Sequence, residues 1–130
     1  MVEPYSIERL DQKDIDALFD FRKRFLPQGD KQMDRKRWHW LYHDNPFVES
    51  QPPVWVIKTN DRIAGSIGTI PMPCILGGEN IVANMGVDYY VEDSFKGLPA
   101  LQLLKKAMAS SPIFIGANIS PSAKKLLLKM

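Results

Sequence analysis

Lys96 and Gly97 stand directly before a run of residues that predicts a helix. Pro99 suits the first position of that helix, because its missing N–H would have no intrahelical acceptor there. The first turn of a helix presents unpaired backbone N–H groups, which bind anions. Residues 96–101 therefore predict an anion site to which Lys96 adds a positive charge, although a lysine–glycine pair is more often a simple loop.

Asp88 lies near the end of a predicted strand and is followed by Tyr89 and Tyr90. A carboxylate in a reactive site can act as a general base. The alternative, which is the more common one, is a solvated or hydrogen-bonded strand residue. Successive strand residues point to opposite faces, so at least one of the two tyrosines is expected to pack in the core.

The two histidines, His39 and His43, are four residues apart on a predicted helix. This spacing can place two imidazoles on one metal ion. No third ligand is evident from the sequence, so we predict that no metal is bound. The neighbouring Trp38, Trp40 and Tyr42 line a substrate pocket or, as is more usual, pack the helix onto a sheet.

Composition indicates a single soluble domain. The chain has 130 residues, 45% of them hydrophobic, and a net charge of +2. Cys74 is the only cysteine, which excludes an intrachain disulfide and favours a small strand hydrophobe over a nucleophile. No apolar run of membrane-spanning length and no secretory signal are present, so we expect a cytoplasmic protein without a membrane partner.

A basic and aromatic segment at residues 31–40 raises nucleic-acid binding as an alternative, since such residues neutralise and stack on single strands. The overall balance of 17 basic and 15 acidic residues argues against it. We therefore expect no nucleic-acid partner.

Periodicity and turn residues predict the order strand, helix, helix, three strands, helix, strand, helix. The expected spans are residues 5–10, 12–26, 35–43, 54–59, 62–76, 79–91, 99–110 and 113–119, with a last helix from Pro121. Asp11 and Asp34 suit the N-cap positions of the first two helices.

Turns at 60–61 and 77–78 should join the three central strands into an antiparallel meander. The strand at 113–119 follows a helix, so we expect it to run parallel to its predecessor and to be buried on both faces. The predicted fold class is α/β (α+β), with a mixed sheet built from the meander and a strand–helix–strand unit.

Four segments and this order resemble the GNAT superfamily of N-acetyltransferases. Residues 38–46 (WHWLYHDNP) look like a W-x-W-x-Y-x-x-N-P segment of a GNAT-like subgroup, and residues 62–65 (RIAG) look like the start of the third strand. Residues 87–91 followed by 95–97 look like the fourth strand and the pyrophosphate loop. Ser120 is similar to the start of the helix after the fifth strand.

The resemblance implies an acyl-CoA-dependent N-acyltransferase that moves an acetyl group from acetyl-CoA to an amine, with Asp88 as base. The loop would bind the pyrophosphate, and the edge of the fourth strand, opened towards residues 113–118, would pair with pantetheine. The implied cosubstrate-binding residues are Tyr89, Tyr90, Val91, Lys96, Gly97, Leu98 and Asn118. The amine acceptor is not identified by the sequence.

The sequence departs from the family pattern (Q/R)-x-x-G-x-(G/A) in its loop. Pro99 stands at the glycine, Leu101 stands at the final small residue, and the tyrosine that often acts as general acid aligns near Leu127. The family domain also continues for two further strands beyond Met130, so we expect 1–130 to be a single, incomplete domain with weak or no turnover. The alternative function is a non-catalytic module that binds CoA or a protein. We expect exposed strand edges to favour a homodimer.

Overall fold

A five-stranded mixed sheet forms the centre of the computed structural model of the chain, which describes residues 3–26, 31–48, 51–116, 125 and 128. The strands lie in sequence order, and each of the first four pairs antiparallel with its neighbour. Strand β5 pairs parallel with β4. The predicted α/β class and mixed sheet are confirmed. The strands are β1 (Ser6–Arg9), β2 (Val54–Thr59), β3 (Arg62–Leu76), β4 (Glu79–Val91) and β5 (Phe114–Gly116).

The meander of β2, β3 and β4 has the predicted bounds, because its turns are specified locally. Asn60 and Asp61 have φ of 44° and 62°, and Gly77 and Gly78 have φ of 58° and 83°. Two successive positive φ angles define the tight hairpin turn whose twist matches that of the flanking strands.

The prediction that the last strand is buried on both faces is wrong for its described part. Phe114 is half-buried, whereas Ile115 and Gly116 are exposed. The reason is its position, since β5 is the outermost strand in the described sheet. Residues 117–119, including Asn118, lie outside the described residues, as do Pro121 and Leu127.

The first predicted helix is shorter than expected. A 3₁₀ turn (Gln12–Asp14) precedes α1 (Ile15–Arg22), and the Asp11 side chain makes no capping hydrogen bond. Beyond Arg22 the chain tightens, since Arg24 and Phe25 donate their N–H groups to carbonyls three residues earlier. This tightening ends the helix before residue 26 and lets Phe25 stack on Tyr90, with ring centroids 5.1 Å apart.

The second predicted helix begins earlier and changes type. Helix α2 (Lys31–Trp38) already includes Asp34, so Asp34 is not its N-cap. It continues as a π-helical turn (His39–His43), in which the N–H of Asp44 reaches the carbonyl of His39 at 3.0 Å.

The third helix, α3 (Leu98–Met108), starts one residue before the predicted position. Gly97 is its N-cap and Pro99 occupies the second helical position. A 3₁₀ turn (Asp93–Phe95) joins it to β4.

Two hydrophobic clusters pack on the two faces of the sheet. One contains α1 and the π-helical turn, and the other contains α3. The sheet is thus covered on both sides. The end of β4 and the start of α3 lie beside each other because only the short 3₁₀ turn separates them in the chain. No helix in the described part of the chain is long and apolar enough to span a membrane.

Candidate functional site

Strand β4 carries a bulge at Asp88. Val87 pairs with Gly68 and Tyr90 pairs with Ser66, so Asp88 and Tyr89 together face the single residue Ile67. Asp88 has φ of 55°, a left-handed conformation that aspartate tolerates better than most residues. Such a bulge bends the strand and redirects the side chains around it.

The end of β4 extends beyond its described pairing with β5, and we call the side of residues 87–91 that faces away from β3 the open edge. Strand β5 pairs with β4 only from Asn84 to Gly86, so residues 87–91 have no described neighbour on that side. On the other side, Glu92 donates its N–H to Ala64 at 2.9 Å. Because bonds alternate along an antiparallel pair, the N–H of Val91 points away from β3 and towards this open edge.

The first turn of α3 lies against the same part of β4. The Tyr89 hydroxyl donates to the carbonyl oxygen of Ala100 at 2.5 Å, which ties the strand to the helix. Gly97 has φ of 101° and ψ of −128°, a conformation reserved for glycine. An added Cβ atom at Gly97 would meet nothing within 4 Å, so this turn is open to solvent.

Lys96 stands exposed at the turn. Its Nζ lies 2.9 Å from Oδ1 of Asp93, and both side chains are mostly exposed. A solvent-exposed ion pair of this kind contributes little, so Lys96 can exchange Asp93 for another anion at small cost. Pro99 contributes no N–H, which leaves Gly97, Leu98 and Ala100 as the donors of this turn.

Burial raises the pKa of Tyr89 to about 12, and this has a measurable consequence. An unfolded tyrosine titrates near 10, so between these values the folded protein keeps a proton that the unfolded chain has released. The contribution of Tyr89 to the free energy of unfolding should therefore be fully present below pH 10, and it should be lost as pH rises through about 12. We expect Tyr89→Phe to remove this part of the alkaline decline, as measured by urea unfolding near pH 9 and near pH 11.

The matched control is Tyr5→Phe, which also loses a hydroxyl hydrogen bond, here to Gln102, at an exposed position. Near pH 9 the Tyr89 variant should be about 1 kcal/mol less stable than the parent protein. A difference between parent and variant that stays constant up to pH 11 would contradict the prediction.

Asp88 is an ion-pair centre. Its Oδ2 lies 3.2 Å from the guanidinium of Arg22 and also contacts that of Arg37. Arg22 is 4% exposed and Asp88 is 14% exposed, so this pair is largely removed from water. Sequence analysis missed both arginines, and the only signal was a charged residue on the apolar face of α1.

The two tyrosines point to opposite faces, as predicted. Tyr89 packs against the cluster that contains α3, and Tyr90 packs against the cluster that contains α1. Val91 is 9% exposed and belongs to the core. The side chains of all three therefore serve packing, and the group that points to the open edge is the backbone N–H of Val91.

The aromatic residues around α2 divide into two groups. The ring of Trp38 contacts Phe19 and Tyr42, with centroids 5.5 and 4.5 Å away, which confirms the packing interpretation for Trp38 and Tyr42. Trp40, by contrast, is 68% exposed.

Cys74 is half-buried on β3, where it pairs with Ile81 near the Gly77–Gly78 turn.

A cleft of about 170 Å³ lies beside the start of β2 and the end of α3. None of the predicted site residues lines it. Its walls are formed by Arg9, Phe47, Val48, Pro53, Trp55, Thr69, Pro71, Asn84 and Ser110.

The sequence matches no protein-family model and no curated protein sequence. The fold is similar to that of glucosamine-6-phosphate N-acetyltransferase from Arabidopsis thaliana, with a TM-score of 0.69 and 16% identity over 98% of this chain and 90% of that one. It is also similar to a predicted acetyltransferase from Clostridium acetobutylicum solved with acetyl-CoA, with a TM-score of 0.71 and 15% identity over 97% and 88% of the two chains.

A third similar structure is a GCN5-related N-acetyltransferase from Anabaena variabilis, with a TM-score of 0.65 and 17% identity. It matches 97% of this chain and 31% of its own. These identities are low, so the similarity is one of fold. The chain therefore has the fold of the GNAT N-acetyltransferases.

Proposed function

We propose that this chain is an acyl-CoA-dependent N-acyltransferase, with acetyl-CoA as cosubstrate and an amine as acceptor. The observation that carries the proposal is the open edge of β4 lying beside the first turn of α3, joined by the hydrogen bond from Tyr89 to Ala100. One element offers the N–H of Val91, which points away from β3, and the other offers helix N-terminal amides. Three similar folds belong to acetyltransferases, and one of them was solved with acetyl-CoA.

The turn before α3 fits a pyrophosphate group in part. Gly97 and Leu98 would direct backbone N–H groups at the phosphates, and the helix dipole of α3 adds to their attraction. Lys96 would supply a positive charge. Pro99 removes one of the donors, which should weaken the site without closing it.

The open edge of β4 fits the amide-rich pantetheine arm, because an extended amide chain can pair with a strand edge. Acyl-CoA supplies a thioester whose carbonyl carbon is open to attack by an amine. The N–H of Val91 points to this edge and is placed to donate to an oxygen that gains negative charge.

Asp88 is our candidate for accepting the proton of the amine. It lies at the bulge, next to the open edge. Its Oδ2 is already held by Arg22 and Arg37, so the structural role and the proton-accepting role compete for the same carboxylate. The two roles differ in their expected kinetics, which the Asp88→Asn variant separates.

Calorimetric titration with acetyl-CoA tests the proposal. We expect Lys96→Ala to weaken binding about fivefold, equivalent to about 1 kcal/mol, because one charge-assisted contact is lost. Gly97→Ala should weaken binding further, because its backbone conformation costs an alanine about 1–2 kcal/mol and the turn must change.

Lys105→Ala is the matched control, since Lys105 is an exposed lysine near the other end of α3. Dephospho-CoA retains the pyrophosphate, so it should show the same Lys96 effect. The proposal would fail if the folded protein bound acetyl-CoA no better than about 1 mM, or if Lys96→Ala and Lys105→Ala behaved alike.

A second candidate function is CoA binding without acyl transfer. Pro99 at the second position of α3 favours it, because that position would otherwise present an N–H to the phosphates. Acetyl-CoA binding without any transfer to a panel of primary amines would favour this alternative.

A further inference from the structure

Three side chains that can bind a metal ion converge on the π-helical turn. The Nδ1 atom of His43 lies 3.1 Å from Oδ1 of Asp44, and the Nδ1 atom of His39 lies 3.5 Å from Oδ2 of the same residue. The two imidazole rings are stacked with centroids 4.2 Å apart. One ligand atom from each of the three residues lies within 4.8 Å of the ligand atoms of the other two.

The π-helical hydrogen bond is what brings Asp44 into this group. In an α-helix of 3.6 residues per turn, residues five apart point about 140° away from each other, so Asp44 would leave the face of His39. Here the N–H of Asp44 bonds to the carbonyl of His39, which adds a residue to the turn. Residues 39, 43 and 44 consequently share one face. Asp44 is thus the third ligand that was not evident from the sequence.

The spacing of these atoms fits a small divalent ion. A tetrahedral ion about 2.0–2.1 Å from each ligand atom needs ligand atoms roughly 3.3–3.4 Å apart. The two observed nitrogen–oxygen separations lie on either side of that value and run to the two different oxygens of the Asp44 carboxylate. All three side chains are exposed, so an ion and its remaining water ligands can reach them.

We propose that His39, His43 and Asp44 form a surface site for a divalent transition-metal ion of the zinc class. Two imidazole nitrogens and one carboxylate oxygen suit Zn²⁺, Co²⁺, Ni²⁺ and Cu²⁺, whereas Mg²⁺ and Ca²⁺ prefer sites built from oxygen alone. The site is separate from the open edge of β4, and it does not depend on the proposed acyl transfer. A bound ion would link residues 39 and 44 and so stabilise the π-helical turn that follows α2.

Titration of the full chain with Zn²⁺ and with Mg²⁺ at neutral pH tests the site. We expect one Zn²⁺ per chain, no Mg²⁺ binding, and binding at least about tenfold weaker in His39→Gln and in Asp44→Asn, since each removes one ligand. His39 and His43 are the only histidines in the chain, so both imidazole resonances, and no others, should shift on Zn²⁺ addition.

Two control variants keep the result interpretable. Cys74→Ser removes the only thiol, and Asp20→Asn removes an exposed carboxylate on α1 that ion-pairs only with Lys23 in the described structure. Both should bind Zn²⁺ as the parent does. The proposal is overturned if Zn²⁺ fails to bind below about 1 mM, if Asp44→Asn leaves affinity unchanged, or if Cys74→Ser abolishes binding.

Discussion

Replacing Asp88 with asparagine is expected to lower the free energy of unfolding by about 3–5 kcal/mol. The variant places a neutral amide where the carboxylate faced the buried guanidinium of Arg22, and breaking a largely buried ion pair from one side is costly. Asparagine tolerates the left-handed backbone as well as aspartate does, so the bulge itself should not be strained. Urea unfolding measures the loss, which is a large share of the stability of a domain of this size.

The double variant Arg22→Met with Asp88→Asn is the control for this assignment. It removes the buried charge as well as its partner, so it should recover much of the stability lost in Asp88→Asn alone. Losses that simply add in the double variant would contradict a direct interaction between the two residues.

The same Asp88→Asn variant also tests the proton-accepting role. If Asp88 takes the proton of the amine, kcat should fall by about 10²–10⁴-fold while acetyl-CoA affinity is retained. If Asp88 serves only the ion pairs, activity should follow the fraction of folded protein, and Arg22→Met should then reduce it in the same way. Both measurements use temperatures at which the variant remains folded.

Replacing Gly68 with alanine is expected to cost about 3 kcal/mol of stability, at the upper end of overpacking effects. An alanine Cβ would overlap the hydroxyl oxygen of Tyr42 and lie 3.2 Å from a methyl carbon of Val87. Tyr42 is 7% exposed and packs against Trp38, so its ring cannot move aside freely. Thermal or urea unfolding of the variant measures the cost.

Tyr42→Phe should rescue Gly68→Ala. Without the hydroxyl, the nearest ring atom to the new Cβ is Cζ at 3.5 Å, an ordinary contact distance. The pair should therefore show a coupling of about 2 kcal/mol in a double-mutant cycle. Additive losses would mean that the helix-to-sheet contact at Gly68 is looser than the structure indicates.

The sequence alone determined the parts of this protein whose causes are local. The turns at Asn60–Asp61 and Gly77–Gly78 use residue types that adopt positive φ, so the strands around them have the predicted bounds. Gly97 before Pro99 likewise marked the start of α3 to within one residue. The resemblance to the GNAT superfamily followed from the same local segments and their order, and the fold agrees with it.

The tertiary structure decided the features that join residues distant in the chain. The bulge at Asp88 exists only through the register of β4 against β3, and Arg22 meets Asp88 across 66 positions of sequence. The end of α1 and the exposure of β5 depend on which surface each meets. Local propensity carries no information about these pairings, because they are selected by burial and charge compensation once the sheet has formed.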